Sequence, residues 1–201
     1  MLQRFTTRLD VPLRGSFDPE PRIAHASKAV IIKGMFLAQH AAAIGEGWPE
    51  VERKLLSPPR DGRYLTYGDY PLPDYLRVVF AGAARESPAL PLAEACRLAA
   101  RRHMQAFAVS TVGRVMLAMI TEPRRALLDL PDMFARGSRG ILIEAAPHGE
   151  GVRVEMQHIG GLQDCSAIGT IEGCVLRYGA RPMIDVQLRT GEHAVYDVTW
   201  T

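Results

Sequence analysis

The stretch "GILIEAAPHGEGVRVEMQHI", residues 140–159, decides the fold of this chain, because the spacing of apolar residues changes at Gly140. Before Gly140 the apolar residues follow a helical period, and after it they alternate with polar ones, which is typical of strands. The segments on either side of the turn "PHGEG" predict a β-hairpin. In its second strand Val152, Val154, Met156 and His158 share one face, so we expect His158 to point inward.

A second hairpin follows the same rule at the end of the chain. "RPMIDVQLR" and "HAVYDVTW" alternate apolar and polar residues on either side of "TGE". Between the two hairpins, "SAIGTIEGCVLRYG" has the apolar spacing of a short helix, with Gly179 placed to end it. The C-terminal third of the chain is therefore predicted to be hairpin, helix, hairpin.

The chain before Gly140 has helical spacing. We predict helices from Ser27 to Gly45 and from about Pro73 through Arg85. Between Pro91 and Pro123 we predict either one long central helix or two with a joint near Ser110 to Gly113. An amphipathic helix, "RRALLDLPDMFARGSRG", precedes the first strand. Met104, Met116 and Met119 could line an adaptable cavity or simply fill the core.

These elements predict a single α+β domain over residues 27–201, in which a helical N-terminal layer covers one face of a four-stranded antiparallel sheet. Residues 1–26 contain three prolines among alternating charges and show no sustained period. We therefore expect them to form an N-terminal arm outside the core.

Composition narrows the function classes. The 201 residues are 47% hydrophobic and 23% charged, with a formal net charge of +2, and no basic cluster favours nucleic-acid binding. Because no apolar run approaches the roughly 20 residues of a membrane span, and the N-terminus lacks the apolar core of a signal peptide, we expect a cytoplasmic protein. The three cysteines show no paired spacing, which argues against disulfides and structural zinc.

Candidate catalytic residues are few, and we do not expect an enzyme. The six histidines have no metal-ligand spacing, and the glycines do not form a phosphate-binding loop. Cys165 precedes a predicted helix whose dipole could activate its thiol, although a structural cysteine is the simpler interpretation. We predict neither a metal nor a cofactor.

The quoted segments carry a resemblance to known families. From about Val30 to Trp200, the order of elements resembles the heme nitric oxide/oxygen-binding (H-NOX) fold and the related vinyl-reductase-type small-molecule-binding domain. The pattern "GMFL…ACRLAARRHMQAFAVSTVGRVML…IGTIEGCVLRYGA…YDVTW" is more closely similar to a myxobacterial family of paralogues with no assigned function. The resemblance implies a fold that binds small molecules.

The resemblance also implies that heme is absent. In H-NOX domains a histidine on the helix before the sheet binds the iron, and the comparable position here is Phe134, whose side chain has no ligand atom. The tyrosine, serine and arginine that hold the heme propionates correspond to Met156, His158 and Gly160, which offer no such clamp. His158 could replace the axial ligand from the opposite wall, but a pocket-wall role is the simpler interpretation.

Three functions remain open. The first is a heme-free sensory or signalling domain that holds an apolar molecule between the helices and the sheet, with Met116, Met133, Phe134, Met156 and His158 as wall residues. The second is a homodimeric protein-interaction module whose pocket has collapsed into core, in which case oligomers would depend on residues 1–26. The third is an enzyme that uses Cys165 or a histidine.

Overall fold

The computed structural model describes residues 3–13 and 17–201, apart from the side chains of Val112 and Met116. The helices in these residues are α1 (Pro19–His25), α2 (Gly34–Ile44), α3 (Trp48–Glu52), α4 (Leu72–Glu86), α5 (Leu92–Val109), α6 (Thr111–Met116), α7 (Pro123–Leu128), α8 (Leu130–Gly137) and α9 (Ser166–Leu176). The strands are β1 (Gln3–Arg8), β2 (Ile31–Lys33), β3 (Asp69–Pro71), β4 (Ser138–Arg139), β5 (Leu142–His148), β6 (Gly151–Gln157), β7 (Pro182–Thr190) and β8 (His193–Trp200).

The main sheet is antiparallel, with the strand order β1-β7-β8-β6-β5. Both predicted hairpins, β5–β6 and β7–β8, are confirmed, and α9 connects them. The prediction of four strands is wrong, because β1 pairs with β7 from Gln3 opposite Leu188 to Arg8 opposite Met183. The sequence of β1, "QRFTTR", contains one apolar residue, so it shows no alternation from which a strand could be predicted.

The described part of the first 26 residues packs onto the domain, which corrects the expectation of an arm outside the core. Leu13 and Ile23 are buried and belong to the hydrophobic core. Asp18 caps α1 by accepting a hydrogen bond from the Glu20 N–H at 3.0 Å. The proposed domain boundary at residue 26 stays a prediction.

A second, smaller sheet has the order β3-β2-β4. It takes residues that were predicted to start the first helix, because Ile31–Lys33 form β2 and the helix begins only at Gly34. A side chain at Gly34 would overlap the Leu65 carbonyl oxygen, so a glycine allows the loop to lie against the helix start. The predicted end at Gly45 is confirmed, with φ at +58°.

The central helices follow the predictions closely. Helix α4 occupies the predicted place, and the long helical pattern breaks at Ser110, whose hydroxyl accepts a hydrogen bond from the Gly113 N–H at 3.0 Å. The helix predicted after residue 124 is instead two short helices, α7 and α8, that meet at Asp129. Pro131 lies in the first turn of the second helix, where its missing N–H costs no hydrogen bond.

The α+β class is confirmed, since the helices cover the inner face of the main sheet. Val154, Met156, Ile184, Val186, Tyr196 and Val198 are buried in one core with residues of α4, α5, α7 and α9. Helices α5 and α9 approach very closely, because a Cβ at Gly169 would overlap the Arg97 carbonyl oxygen. Among the described residues, no helix has both the length and the apolar character required to cross a membrane.

A buried charged junction, consisting of Glu94, Arg97 and Glu172, joins α5 and α9 to the N-terminal segment. The Arg97 guanidinium is fully buried, and its Nε lies 3.1 Å from both carboxylate oxygens of Glu172. It also donates to the carbonyl oxygens of Arg8 at 2.6 Å and Val11 at 2.7 Å. These bonds hold the end of β1 against α5, and the ion pairs raise the pKa of Arg97 despite its burial.

Candidate functional site

The site predicted on α8 contains a pair of stacked aromatic rings. Phe134 of α8 faces Phe36 of α2, with ring centroids 6.1 Å apart and planes inclined by 13°. Helix α8 ends at Gly137 beneath the same ring, since a Cβ there would overlap the Phe36 side chain. Both phenylalanines are half-buried. They form the aromatic pair, an apolar contact that is partly accessible to water.

Two more predicted wall residues lie on α8 and on the main sheet. Met133 is half-buried on α8 and packs against the core, and α8 itself contacts β5. Met156 lies on the neighbouring strand β6, opposite Ile143 of β5 and Ala194 of β8, and is only 1% exposed. The structure therefore places Met133 and Phe134 at the surface of the apolar layer and Met156 within it.

The expectation that His158 points inward is wrong. Strand β6 ends at Gln157, and His158 adopts a left-handed backbone conformation with φ at +62°. Its side chain is 47% exposed, and its Nδ1 lies 3.2 Å from a carboxylate oxygen of Glu192. The two-residue period stops with the strand, so the face assigned from the sequence does not extend to this position.

Met116, the remaining predicted wall residue, is the last residue of α6. Its side chain lies outside the described residues. Two surface clefts of the described chain are lined by other residues. One, of about 260 Å³, lies among α1, α3, α4 and the start of α5, and the other, of about 380 Å³, lies between Arg8–Asp10 and the ends of β7 and β8.

The residues that the resemblance compares with the heme ligand and the propionate clamp do not suit heme. Phe134 offers no atom that could bind iron, and the three strand positions compared with the propionate clamp offer no cation to a carboxylate. Met156 is a buried apolar side chain, and His158 is turned to Glu192. A side chain at Gly160 would lie 2.9 Å from Leu76 Cδ1 and 3.0 Å from Leu72 Cδ2, so the helix fills that space.

Burial disfavours the thiolate form of Cys165 and of Cys174. Cys165 is fully buried, and burial raises the pKa of its thiol well above the ordinary value, with a further rise from Cys96 beside it. Burial likewise raises the pKa of Cys174 to about 12. Cys165 therefore has the environment of a structural cysteine. In residues 3–13 and 17–201, no three histidine, cysteine or acidic side chains come close enough together to hold a metal ion.

A pair of histidines, one buried and one partly exposed, could not be predicted from the sequence. His40 of α2 and His103 of α5 have ring centroids 4.1 Å apart, and Glu86 of α4 lies beside His103. The two histidines are 63 positions apart in the chain, so no spacing pattern reveals them. The charged junction could not be predicted for the same reason, because Arg97 and Glu172 meet only when α5 packs on α9.

The chain belongs to the family described as "Protein of unknown function (DUF2378)", whose model matches residues 26–201. A comparison with curated protein sequences finds no match.

Among solved structures, the chain is similar to H-NOX proteins. The Fe(II) unliganded H-NOX protein from K. algicida matches with a TM-score of 0.63 and 11% identity, over 85% of this chain and 97% of that one. The I5F mutant of the T. tengcongensis H-NOX matches with a TM-score of 0.61 and 12% identity, over 85% and 98%. The Cs H-NOX mutant with 4-cyano-L-phenylalanine at site 5 matches with a TM-score of 0.61 and 12% identity, over 84% of this chain and 94% of that one. The expected H-NOX-like fold is confirmed.

Proposed function

We propose, from membership of the DUF2378 family and an H-NOX-like fold as the premise, that this chain is a heme-free sensory or small-molecule-binding module of a signalling system. Its ligand is an apolar molecule, and it performs no enzymatic chemistry. The observation that carries this proposal is the aromatic pair, because a phenylalanine stands where the resemblance places the iron ligand and is stacked on another phenylalanine. The wider likeness to H-NOX proteins supports a sensory role.

The surroundings of the pair suit an apolar ligand. Phe36, Met133, Phe134 and Ile143 are partly buried and continuous with the core, and together they form what we term the apolar site. Each Å² of apolar surface that a ligand covers contributes roughly 25 cal/mol. Methionine and phenylalanine side chains adjust their positions readily, so the site can adapt to different shapes. Met156 is too deeply buried to touch a ligand unless these side chains move.

Mass spectrometry under native and then denaturing conditions tests this proposal, with an absorption spectrum of the same sample. We expect a mass excess that disappears on denaturation, and no Soret band. Phe134→Ala should reduce the fraction of protein with bound ligand at least fivefold. Phe107→Ala changes a half-buried phenylalanine on a different helix, α5, and should leave that fraction unchanged. A Soret band, or equal loss in both variants, would overturn the proposal.

A second candidate, a homodimeric interaction module, is favoured by a different observation. Val109, Val115 and Met119 are 72%, 76% and 93% exposed around the end of α5 and α6. Exposed apolar clusters of this kind mark protein contacts more often than isolated residues do. Burial of Met156 in a continuous core agrees with a collapsed pocket.

Sedimentation velocity tests the second candidate. A dimer that Met119→Glu dissociates would support it, with Leu65→Glu as a control at an exposed apolar residue in a different segment. Deletion of residues 1–26 is a poor test, because it removes β1 and exposes the edge of β7. A monomer at every concentration contradicts this candidate. A cytoplasmic location stays a prediction that cell fractionation can check.

A further inference from the structure

Three helices meet at a short chain of titratable side chains. His103 Nδ1 on α5 lies 3.1 Å from His40 Nε2 on α2, and His103 Nε2 lies 3.2 Å from Glu86 Oε1 on α4. The His40 side chain is buried, while His103 and Glu86 are each 19% exposed. This series of three side chains thus extends from the protein surface at Glu86 to the interior at His40.

The groups that face these rings are few. From α5, Arg102 lies 4.0 Å from the Glu86 carboxylate, and from α4 the Tyr75 ring lies 6.2 Å from the His40 ring. Tyr75 is neutral at ordinary pH, because burial raises the pKa of its hydroxyl. Burial lowers the pKa of His40 well below its usual value, and the charge of His103 lowers it further.

The hydrogen atoms that these three side chains share can adopt two arrangements. With both rings neutral, His103 donates from Nε2 to Glu86 and accepts at Nδ1 from His40 Nε2–H. A proton added to His103 reverses the contact, so that His103 Nδ1–H donates to His40 Nε2 and the hydrogen of His40 moves to Nδ1. That Nδ1 is buried and has no hydrogen-bond partner among the described residues. A buried N–H without an acceptor raises the free energy of the folded state. The second arrangement therefore favours an opening of the structure that lets water reach His40 Nδ1.

We propose that His40, His103 and Glu86 form a proton-binding site that loosens α2 from α4 and α5 when the protein is acidified. Helix α2 is the element that moves, because the contact between His40 and His103 joins it to α5. Its packing on α4 is tight at the same place, since a Cβ at Gly82 would lie 2.7 Å from the His40 carbonyl oxygen. A helix held this closely responds to a small displacement as a unit.

Movement of α2 would reach the apolar site. Phe36 and His40 are four residues apart on α2, so they lie on neighbouring turns of one face. Phe36 contacts Phe134 and covers Gly137 on α8. Protonation is thereby linked to the aromatic pair through a single helix, and this second step rests on the proposed function.

Hydrogen exchange tests the proton site directly. After correction for intrinsic rates, we expect the α2 amides to lose protection by up to about tenfold per pH unit below pH 6.5, the change produced by one proton. His103→Gln, which cannot take up a proton, should weaken this response, and His25→Gln, at an exposed histidine, should retain it in full. Long-range ¹H–¹⁵N spectra should show the proton of His40 on Nε2 at pH 7.5.

Two outcomes would overturn the site: protection of α2 that does not depend on pH, or an unchanged response in His103→Gln. Binding of the apolar dye 1-anilinonaphthalene-8-sulfonate then separates the two proposals. If α2 responds to acid but dye binding at pH 7.5 and pH 5.5 is equal and unaffected by Phe134→Ala, the proton site stands, and its link to the apolar site is refuted together with the proposed function.

Discussion

The charged junction and the aromatic pair both hold helices together, but by opposite means. At the junction the fully buried Arg97 donates to Glu172, Glu94 and two backbone carbonyl oxygens, so its position is determined by many directional bonds. At the pair, Phe36 and Phe134 share a single ring contact that is half-exposed. Directional bonds define one arrangement, whereas ring contacts tolerate several. We therefore expect the α5–α9 side of the domain to be rigid and the α2–α8 side to be adaptable.

The largest effect is expected at the junction. Arg97→Met should lower the free energy of unfolding by about 3–5 kcal/mol, because the buried Glu172 carboxylate loses its shortest ion pair and keeps only the longer contact with Arg101. Arg101→Met is the matched control, since Arg101 is 19% exposed and lies 3.4 Å from the same carboxylate. That control should cost less than about 1 kcal/mol. Equal losses in urea unfolding would contradict the assignment of rigidity to Arg97.

Two glycines compare the regions by the same substitution. Gly169→Ala drives a methyl group into the Arg97 backbone carbonyl and should cost about 1–3 kcal/mol, because two helices must separate. Gly137→Ala meets the Phe36 ring, which can rotate away, so we expect a loss below about 1 kcal/mol. Thermal unfolding of both variants measures the difference. A greater loss at Gly137 would show that the aromatic side is the rigid one.

The response to acid should belong to the α2 side. Because the pKa of His40 is lowered in the folded state, the unfolded chain binds the extra proton, and stability is lost as pH falls below about 6.5. The loss is at most about 1.4 kcal/mol per pH unit. Asp197, whose pKa is lowered by Arg153, affects stability only below about pH 4. Urea unfolding of His40→Gln should show a flatter profile between pH 6.5 and 4.5, and an unchanged slope would exclude His40 as its source.

The smallest effect is expected from restoring a ligand atom at the pair. Phe134→His should change the free energy of unfolding by less than about 1.5 kcal/mol, since the ring is half-buried. It should not shift or sharpen the Soret band of added hemin, because Met156, His158 and Gly160 supply no propionate clamp. Stoichiometric heme binding by this variant would show that the missing histidine alone excludes heme.

Local patterns explain which parts of the fold could be predicted. The two hairpins and α9 follow from apolar spacing within short segments, so the sequence was sufficient for them. Strands β2 and β4, of three and two residues, are too short to show any period. Strand β1 becomes a strand only through its pairing with β7.

The site was harder to predict than the fold. Met133 and Phe134 lie in the predicted region, but the stacking partner Phe36 is almost 100 positions away and was not anticipated. His158 was assigned to the wrong face because the strand ends one residue earlier. The histidine pair and the junction arise from helix packing between distant segments, which no local spacing encodes.

The pairing of β1 with β7 also has a consequence for folding kinetics. Thr6 bonds to Asp185, 179 positions further along the chain, so the sheet cannot close until nearly the whole chain is available. Contacts of such high sequence separation slow folding, since a long loop must be ordered first. During synthesis β1 leaves the ribosome before β7, so it stays unpaired until its partner strand has been made.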